Sequence, residues 1–319
     1  MNNGADASKT TQYCDAYPPL VVITGPTCSG KSHIALELAT ETNGGIISCD
    51  SMQLYKYMDI GTAKPTPQER AAVPHYMIDV VEPDFDYSVS LFRDGADKAV
   101  SELNKAGKPV IAAGGTGLYI KALLYENSFG NSAKDETVRA GYNALLSEKG
   151  KEYIYNLLVK EDPDAAARLH VNDTKRVIRA LEIIKLSGKT KTAIIAGDAQ
   201  AEKPRYPHKI FVLNPDRETL YKKINARVDK MFKDGLIEET ENLLKRGYRG
   251  GLNSMKAIGY AEIISYLNGA LKKDEAAELI KQNTRRYAKR QITFFKGFKN
   301  AVWLDKYSIN RSFIEYLKG

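Results

Sequence analysis

Short apolar runs bounded by turn residues recur along the first part of the chain. Four of them are rich in Val and Ile and predict β-strands at Leu20–Thr24, Gly45–Cys49, Tyr76–Val81 and Pro109–Ala113. Apolar residues spaced three and four apart predict amphipathic helices at Lys31–Thr42 and Val89–Ala106. Strands that alternate with helices indicate an α/β fold with a parallel sheet flanked by helices, whose ligands bind at the carboxyl ends of the strands.

The periodicity changes after Tyr125. Residues 134–188 show only helical spacing, whereas Lys209–Leu213 and Ala301–Leu304 again have the pattern of strands. Between those two strands the chain is predicted to be helical from Arg217 to Phe298, with a break at Gly247–Leu252. We therefore predict a disordered tail at residues 1–17, an α/β core with C-terminal helices from residues 18–125 and 203–319, and an inserted all-helical domain at residues 126–202.

The composition is that of an ordinary globular protein, with 43% hydrophobic and 27% charged residues. No apolar run approaches the length of a membrane span, and the polar N-terminus does not resemble a signal peptide, so we expect a cytoplasmic protein with no membrane partner. Cys14, Cys28 and Cys49 have no metal-binding spacing and are expected to be free thiols. Nothing indicates an obligate protein partner, and we expect a monomer.

The segment that follows the first predicted strand carries the strongest chemical signal. It has the form G-x-x-x-x-G-K-[ST], which is the phosphate-binding P-loop, and it consists of Gly25, Pro26, Thr27, Cys28, Ser29, Gly30, Lys31 and Ser32. The glycines let backbone N–H groups point at phosphate oxygens, Lys31 brings a positive charge, and the Ser32 hydroxyl is a predicted ligand of Mg²⁺. The chain is therefore predicted to have a P-loop NTPase-like fold and to bind a diphosphate or triphosphate.

Asp50 directly follows the second predicted strand, at the same edge of the sheet as the P-loop. Its carboxylate could take a proton from an attacking nucleophile or hold Mg²⁺ through water, or it could only cap backbone N–H groups of its own loop, and position alone does not decide between these roles. Two further loops stand out. Gly114–Tyr119 closes the fourth predicted strand and has three glycines in four residues, as in a close backbone approach or a tight strand–helix turn. Asp59–Pro65 has neither a strand nor a helix period, and its Gly and Pro are turn formers.

Positive charge is concentrated near the C-terminus. The net charge of the chain is +8, and residues 281–299 contain seven basic residues and no acidic one. In the predicted helix, Arg286 and Arg290 lie four residues apart, and like charges at that spacing destabilise a helix unless an anion neutralises them. Aromatic residues such as Phe294 alternate with these cations, a pattern that favours contact with unpaired nucleic acid over a merely solvated helix face.

Taken together, these motifs resemble the tRNA dimethylallyltransferases, also called isopentenyl-tRNA transferases. The matching segments appear in order along residues 20 to about 305, and they are the P-loop, Asp50–Gln53, Asp59–Pro65, Gly114–Tyr119, Arg176–Glu182 and Ala288–Gln291. Cys28, Ser32 and Phe294 stand where the family usually has Ala, Thr and Trp. Because it carries no zinc-finger extension, the sequence resembles the bacterial form of the family.

The resemblance implies transfer of the dimethylallyl group of dimethylallyl diphosphate to N6 of adenosine 37, next to the anticodon of tRNA, with loss of diphosphate. It implies that the P-loop binds the diphosphate with Mg²⁺, that Asp50 is the general base, and that Thr116 and Arg227 are catalytic residues, Arg227 by contact with the diphosphate. It further implies that the inserted domain and the anticodon stem-loop bind each other. The residues implied to bind tRNA are Asp50, Ser51, Met52, Gln53, Thr116, Arg139, Lys175, Arg176, Arg179, Lys256, Gly259, Tyr260, Lys289, Arg290, Gln291 and Phe294.

Three other activities are compatible with parts of this pattern. A P-loop kinase for a small molecule needs only the P-loop and Asp50, but it leaves the basic C-terminal segment unexplained. An adenylate isopentenyltransferase that acts on free AMP would need neither the insertion nor that segment. An RNA-binding NTPase should hydrolyse ATP in response to RNA, but the chain shows no further motif set typical of helicases.

Overall fold

The computed structural model describes residues 19–126, 135–190, 192–193 and 203–304. The predicted tail at residues 1–17 and Cys14 lie outside these ranges. The chain divides into two compact units, which we call the core unit (Met1–Leu124 and Arg205–Gly319) and the inserted unit (Tyr125–Pro204).

The described part of the core unit is built on a six-stranded sheet of order β3-β2-β4-β1-β5-β6. Every pair of neighbouring strands is parallel. The strands are β1 Leu20–Thr24, β2 Gly45–Ser48, β3 His75–Tyr76, β4 Val110–Gly114, β5 His208–Leu213 and β6 Val302–Leu304. The prediction of a parallel α/β sheet is confirmed, and five of the six predicted strands agree with the structure to within one residue at each end.

The prediction for the third strand was wrong over most of its length. Strand β3 ends at Tyr76, because Met77 and Asp79 have positive φ angles of 63° and 54° that a strand cannot contain. The Asp79 carboxylate accepts hydrogen bonds from Lys64 Nζ and from Arg70, each at 2.5 Å. These two contacts hold residues 77–79 in a turn, and neither cation is close to Asp79 in sequence.

The helices of the core unit surround this sheet. They are α1 Lys31–Thr42, α2 Pro67–Ala72, α3 Val89–Lys105 and α4 Gly117–Leu124, then α8 Arg217–Asp234, α9 Leu236–Lys245, α10 Tyr260–Leu267 and α11 Lys273–Phe295. Helix α2 was not predicted, although Thr66 and Glu69 form a capping box around Pro67 at its start. The region predicted as helical from Arg217 onward is broken more often than expected, first at Gly235 with φ 101°.

Two larger clusters of buried side chains stabilise the core unit. Alternate residues of the strands, such as Val21 and Ile23, pack against Ile34 and Leu38 of α1. A second cluster joins the loops after β2 to α8–α11 and is centred on the fully buried Tyr260. The second cluster matters for function because it fixes the C-terminal helices beside the carboxyl ends of β1 and β2.

The described part of the inserted unit is helical. It contains α5 Glu136–Glu161, interrupted at Gly150 with φ 83°, then α6 Pro163–Ala167 and α7 Thr174–Ser187. The side chains of Asp135, Asp162 and Asp173 cap the three helix starts. Its apolar core includes Ile154, Leu158, Val177 and Leu181.

No helix within the described ranges is both long enough and apolar enough to cross a membrane.

Candidate functional site

The P-loop connects β1 to α1 through a backbone that only particular residues can adopt. Gly25 has φ 149°, and a Cβ atom there would lie 2.5 Å from the carbonyl oxygen of Leu213. Gly30 has φ 93° and directly precedes the first residue of α1. Both glycines are therefore required by the geometry, and the loop curls around the N-terminus of α1, where unpaired N–H groups favour an anion.

A cavity of about 400 Å³ lies over this loop. Lys31, Ser32, Asp50 and Arg227 all line it. Burial lowers the pKa of Lys31, an effect that the nearby Asp50 carboxylate opposes and the Arg227 guanidinium reinforces. Arg227 also donates a hydrogen bond of 3.1 Å to Thr27 Oγ1, so α8 supplies a second cation to the P-loop. Two cations at a helix N-terminus form a site suited to a diphosphate.

A second cavity, of about 320 Å³, adjoins the first. We call the two the phosphate cavity and the acceptor cavity. Thr27, Asp50, Thr62 and Arg227 line both. The rest of the acceptor cavity is more apolar, and its lining includes Met52, Val228, Met231, Ile258, Ile280 and Tyr287. A ligand whose charged end lies on the P-loop can therefore place an apolar end beside Asp50.

Asp50 is held by its own loop and by the loop after β4. Its Oδ1 atom accepts a hydrogen bond of 2.9 Å from the Met52 N–H, so the capping role considered from the sequence is present. Asp50 nevertheless lines both cavities. Thr116 Oγ1 accepts a hydrogen bond of 3.0 Å from the Ser51 N–H, and the Thr116 N–H donates one of 3.0 Å to the Cys49 carbonyl. Thr116 thus positions the loop that carries Asp50.

Tyr287 of α11 also lines the acceptor cavity. Burial raises the pKa of Tyr287 to about 12, and the Asp50 carboxylate acts in the same direction. The phenol therefore remains protonated at neutral pH. The aromatic pattern of this helix was noted from the sequence, but no specific role for Tyr287 was predicted.

Gln291 connects the P-loop to the loop after β4. Its Oε1 atom accepts a hydrogen bond of 2.8 Å from the Thr27 N–H, and its Nε2 atom donates one of 2.9 Å to the Gly115 carbonyl. The side chain is 5% exposed, and a Cβ atom at Gly115 would collide with it. Gln291 therefore fixes two loops of the site relative to each other.

The Asp59–Pro65 loop is held from two sides. The Glu239 carboxylate accepts hydrogen bonds from the N–H groups of residues 59, 60 and 61 at 2.9, 2.8 and 3.1 Å, and from the Tyr260 hydroxyl at 2.7 Å. Lys64 donates to Asp59, Asp79 and the Tyr55 carbonyl. The loop thereby becomes a rigid wall of both cavities, through Thr62. Glu239 was not singled out in the sequence, because its backbone partners lie about 180 positions away.

Two groups stand out among the predicted tRNA contacts of the core unit, besides the half-buried Asp50, Ser51, Met52 and Thr116. Lys256 and Arg290 are exposed and line the acceptor cavity, Lys289 is exposed, and the Phe294 ring is 41% exposed. In contrast, Gln53, Gly259, Tyr260 and Gln291 are buried. The Gln53 amide accepts a hydrogen bond from the Ser48 hydroxyl and donates hydrogen bonds to the carbonyls of residues 62 and 63. In the structure these four positions have a supporting role, and their direct contact with tRNA stays a prediction.

The basic residues of the inserted unit also fall into two groups. Lys175 and Arg176 are exposed on α7. Arg139 and Arg179 instead hydrogen-bond to the fully buried carboxylate of Glu182, Arg139 at 3.1 and 3.0 Å and Arg179 at 2.7 Å. Burial alone would raise the pKa of Glu182, but these hydrogen bonds hold its pKa below the usual range. Arg139 and Arg179 thus have a structural role that the sequence analysis did not anticipate.

The described residues contain no group of three or more His, Cys, Asp or Glu side chains placed to hold a metal ion. Cys28 and Cys49 are free thiols, as predicted. Burial raises the pKa of Cys49 strongly, so it is not a reactive thiolate. Ser32, the predicted Mg²⁺ ligand, lines the phosphate cavity.

Comparison with known proteins agrees with this geometry. A family model described as IPP transferase matches residues 53–298, and one described as isopentenyl transferase matches residues 18–80. A tRNA dimethylallyltransferase of Clostridioides difficile strain 630 is 48% identical over 287 residues, which cover 90% of this chain and 91% of that protein. A tRNA dimethylallyltransferase of Acetivibrio thermocellus is 45% identical, with the same coverage of each chain.

Solved structures give the same result. The tRNA isopentenylpyrophosphate transferase of Bacillus halodurans has a TM-score of 0.68 and 40% identity, over 94% of this chain and 95% of that one. A eukaryotic dimethylallyltransferase captured acting on tRNA has a TM-score of 0.77 and 27% identity, over 94% of this chain and 78% of that one. This chain matches relatives named tRNA dimethylallyltransferase over nearly their whole length. It thus belongs to the IPP transferase family.

Proposed function

We propose that this protein transfers the dimethylallyl group of dimethylallyl diphosphate to N6 of adenosine 37 of tRNA, next to the anticodon, and releases diphosphate. The observation that carries the proposal is that the phosphate cavity and the acceptor cavity share Asp50, Thr27 and Arg227. A diphosphate and a base can therefore approach the same carboxylate from two sides. The names of the relatives support the assignment of donor and acceptor.

The diphosphate end of the donor would lie on the P-loop. Lys31 and Arg227 supply positive charge there, and the N-terminus of α1 supplies N–H groups. Because negative charge grows on the diphosphate as its bond to carbon breaks, these cations stabilise the transition state more than the bound donor. The five-carbon group would lie toward the apolar lining of the acceptor cavity, near Met231 and Val228.

Asp50 would act as the general base. The lone pair of the adenine N6 attacks C1 of the dimethylallyl group, the C1–O bond breaks with its electrons going to the diphosphate, and the N6 proton goes to the Asp50 carboxylate. Thr116 positions this carboxylate through Ser51. An exocyclic amine conjugated to a purine is a weak nucleophile, so a base within hydrogen-bonding reach favours the reaction.

Mg²⁺ fits this site. A magnesium ion needs only one or two protein oxygen ligands when a phosphate supplies others, and the Ser32 hydroxyl lies in the phosphate cavity with Lys31. We propose that Ser32 holds the ion against the diphosphate. Once bound, the ion would neutralise part of the negative charge on the leaving diphosphate.

The tRNA would bind by its anticodon stem-loop. We propose that Lys256, Lys289, Arg290 and Phe294 of the core unit contact the nucleotides around the target, and that Lys175 and Arg176 make the inserted unit a second binding surface. The target adenosine must leave the stack of the loop to reach the acceptor cavity, as in base-flipping enzymes. We further propose that the protein works as a cytoplasmic monomer.

The experiment that tests this proposal follows labelled dimethylallyl diphosphate into unmodified tRNA, with ATP turnover measured in parallel. We expect label in tRNA, no ATP turnover, and a loss of transfer of about 10²-fold or more in Asp50→Asn, which keeps the acceptor for the Met52 N–H. The control is Asp84→Asn, a change at an exposed position. ATP turnover without labelled tRNA would favour a kinase or an NTPase, and label in AMP alone would favour an adenylate isopentenyltransferase.

A further inference from the structure

A third cavity of about 760 Å³ lies in the core unit. It is formed by the loop after β5, the first two turns of α8 and the C-terminal half of α11, and it shares no lining residue with the phosphate or acceptor cavity. We call it the flanking cavity. Its volume falls within the range of ordinary ligand sites.

The charges of the flanking cavity are predominantly positive. Arg217, Lys289 and Lys296 line it, together with a single acid, Asp216. The Asp216 carboxylate already accepts a hydrogen bond of 2.9 Å from the Thr219 N–H as the cap of α8. Within the described ranges, none of the three cations forms an ion pair. The cavity therefore presents unneutralised positive charge, which favours a phosphate-bearing ligand.

The floor of the flanking cavity suits a planar ring. Leu220 and Ala288 are buried there, and Ile292 packs against them. The Arg217 guanidinium lies 5.1 Å from the centroid of the Tyr221 ring. An apolar floor with an aromatic ring and a stacked guanidinium is the arrangement on which unpaired bases stack, while the surrounding cations meet the phosphates.

One helix connects the flanking cavity to the site of transfer. Thr284, Tyr287 and Arg290 of α11 line the acceptor cavity, whereas Lys289, Thr293 and Lys296 line the flanking cavity. The two sets lie on different faces of the same helix, whose diameter with side chains is about 10–12 Å. A strand of RNA that places one base in the acceptor cavity and crosses α11 therefore reaches the flanking cavity within a few nucleotides.

We infer that the flanking cavity binds an unstacked nucleotide of the anticodon loop other than the target adenosine. The base stacks on Tyr221 and Arg217, and its phosphates contact Lys289 and Lys296. This inference rests on the proposed function. It makes α11 the element that separates the target base from a second, anchoring base, so that the anchor adds to the affinity for the anticodon loop.

The test compares Arg217→Ala and Lys296→Ala with Lys273→Ala, which removes the same charge from an exposed position at the other end of α11. For each cavity variant we expect KM for an anticodon stem-loop to rise roughly three- to tenfold, and the salt slope of binding to fall by about 1. The KM for dimethylallyl diphosphate and kcat at saturating RNA should stay unchanged, as should the far-UV spectrum. Equal effects in Lys273→Ala, or no effect in the cavity variants, would overturn the inference. Transfer of the label by the wild-type protein in the same assay would show that the proposed function still holds.

A second measurement tests the stacked base directly. Stem-loops with one abasic nucleotide at each loop position are bound to the wild-type protein and to Tyr221→Leu, which keeps an apolar side chain on the cavity floor. Where the base stacks on Tyr221, the loss from the abasic site and the loss from the variant should not add. One such position outside the target supports the inference. Additive losses at every position would exclude a stacked base.

Discussion

Gln291 offers a sharp test of how the site is assembled. In Gln291→Leu, the side chain keeps its approximate size but can neither accept the Thr27 N–H nor donate to the Gly115 carbonyl. Because Gln291 is 5% exposed, water cannot replace these bonds fully. An unpaired buried backbone group costs about 1–3 kcal/mol, so two of them should lower the free energy of unfolding by about 2–4 kcal/mol after the apolar gain of Leu.

The same change should impair transfer. Gln291 connects the loop that binds the diphosphate to the loop that positions Asp50 through Thr116, and its loss lets these loops shift relative to each other. Misplacement by about 1 Å commonly lowers a rate by up to about 10²-fold. We therefore expect kcat to fall at least tenfold, while the affinity for tRNA changes little.

The assay pairs urea unfolding with single-turnover transfer of the dimethylallyl group. Gln282→Leu is the matched control, because it makes the same change on an exposed face of the same helix. If Gln291→Leu unfolds at the same urea concentration as Gln282→Leu and transfers at the same rate, then the bridge between the two loops contributes nothing and the reasoning is refuted.

Three other predictions concern the wall of the site, the RNA surface and the inserted unit. In Glu239→Gln, an amide cannot accept all four hydrogen bonds made to the carboxylate, so the free energy of unfolding should fall by about 2 kcal/mol. The kcat should fall as well, with KM for tRNA unchanged. An unchanged kcat would contradict the role of the Asp59–Pro65 loop as a rigid wall of the site. Arg290→Ala should weaken tRNA binding and lower its salt slope by about 1, without affecting donor binding; an identical slope would remove this contact. The pKa of Glu182 is lowered on folding, so its contribution to stability is present above the unfolded pKa of about 4.3 and is lost as the pH falls through the folded pKa. The free energy of unfolding, measured from pH 7 to pH 3, should therefore depend less on pH in Glu182→Gln than in the wild-type protein. An equal pH dependence in the two proteins would contradict the assignment.

The parts of the site that are local in sequence were predicted well. The P-loop, strand β1 and helix α1 follow from one continuous segment, since glycines with positive φ, an apolar run and an amphipathic helix each leave a local pattern. The placement of Asp50 beside the P-loop also followed, because the carboxyl ends of parallel strands meet at one edge of the sheet.

The parts that depend on distant packing were not predicted. Glu239 meets its three backbone partners across about 180 positions, and Gln291 meets Thr27 across 264. A glutamate on an amphipathic helix carries no mark that its carboxylate will accept hydrogen bonds from a distant loop. The resemblance to a family identified Tyr260 and Gln291 as functional positions, but only the packing shows that both side chains face inward.

Counting charges overestimates the number of free cations, because acids both near and far in sequence pair with them. The family resemblance implies that Arg139 and Arg179 bind tRNA, and in the structure both hydrogen-bond to buried Glu182. Lys281 begins a segment without acids, but it pairs with Asp229 and Glu278 at 2.9 Å each. A basic segment therefore gives an upper limit on the cations that can reach RNA, and the structure identifies which of them are exposed.

The central claim is that the diphosphate of the donor and the amine of the target adenosine meet at Asp50 from two adjoining cavities. A structure of the protein with an unreactive thio-analogue of dimethylallyl diphosphate and an anticodon stem-loop tests it most directly. The account predicts the diphosphate on the P-loop beside Lys31 and Arg227, the five-carbon group toward Met231, and the adenine N6 within hydrogen-bonding distance of the Asp50 carboxylate. An adenine base bound over the P-loop, or a target amine turned away from Asp50, would contradict it.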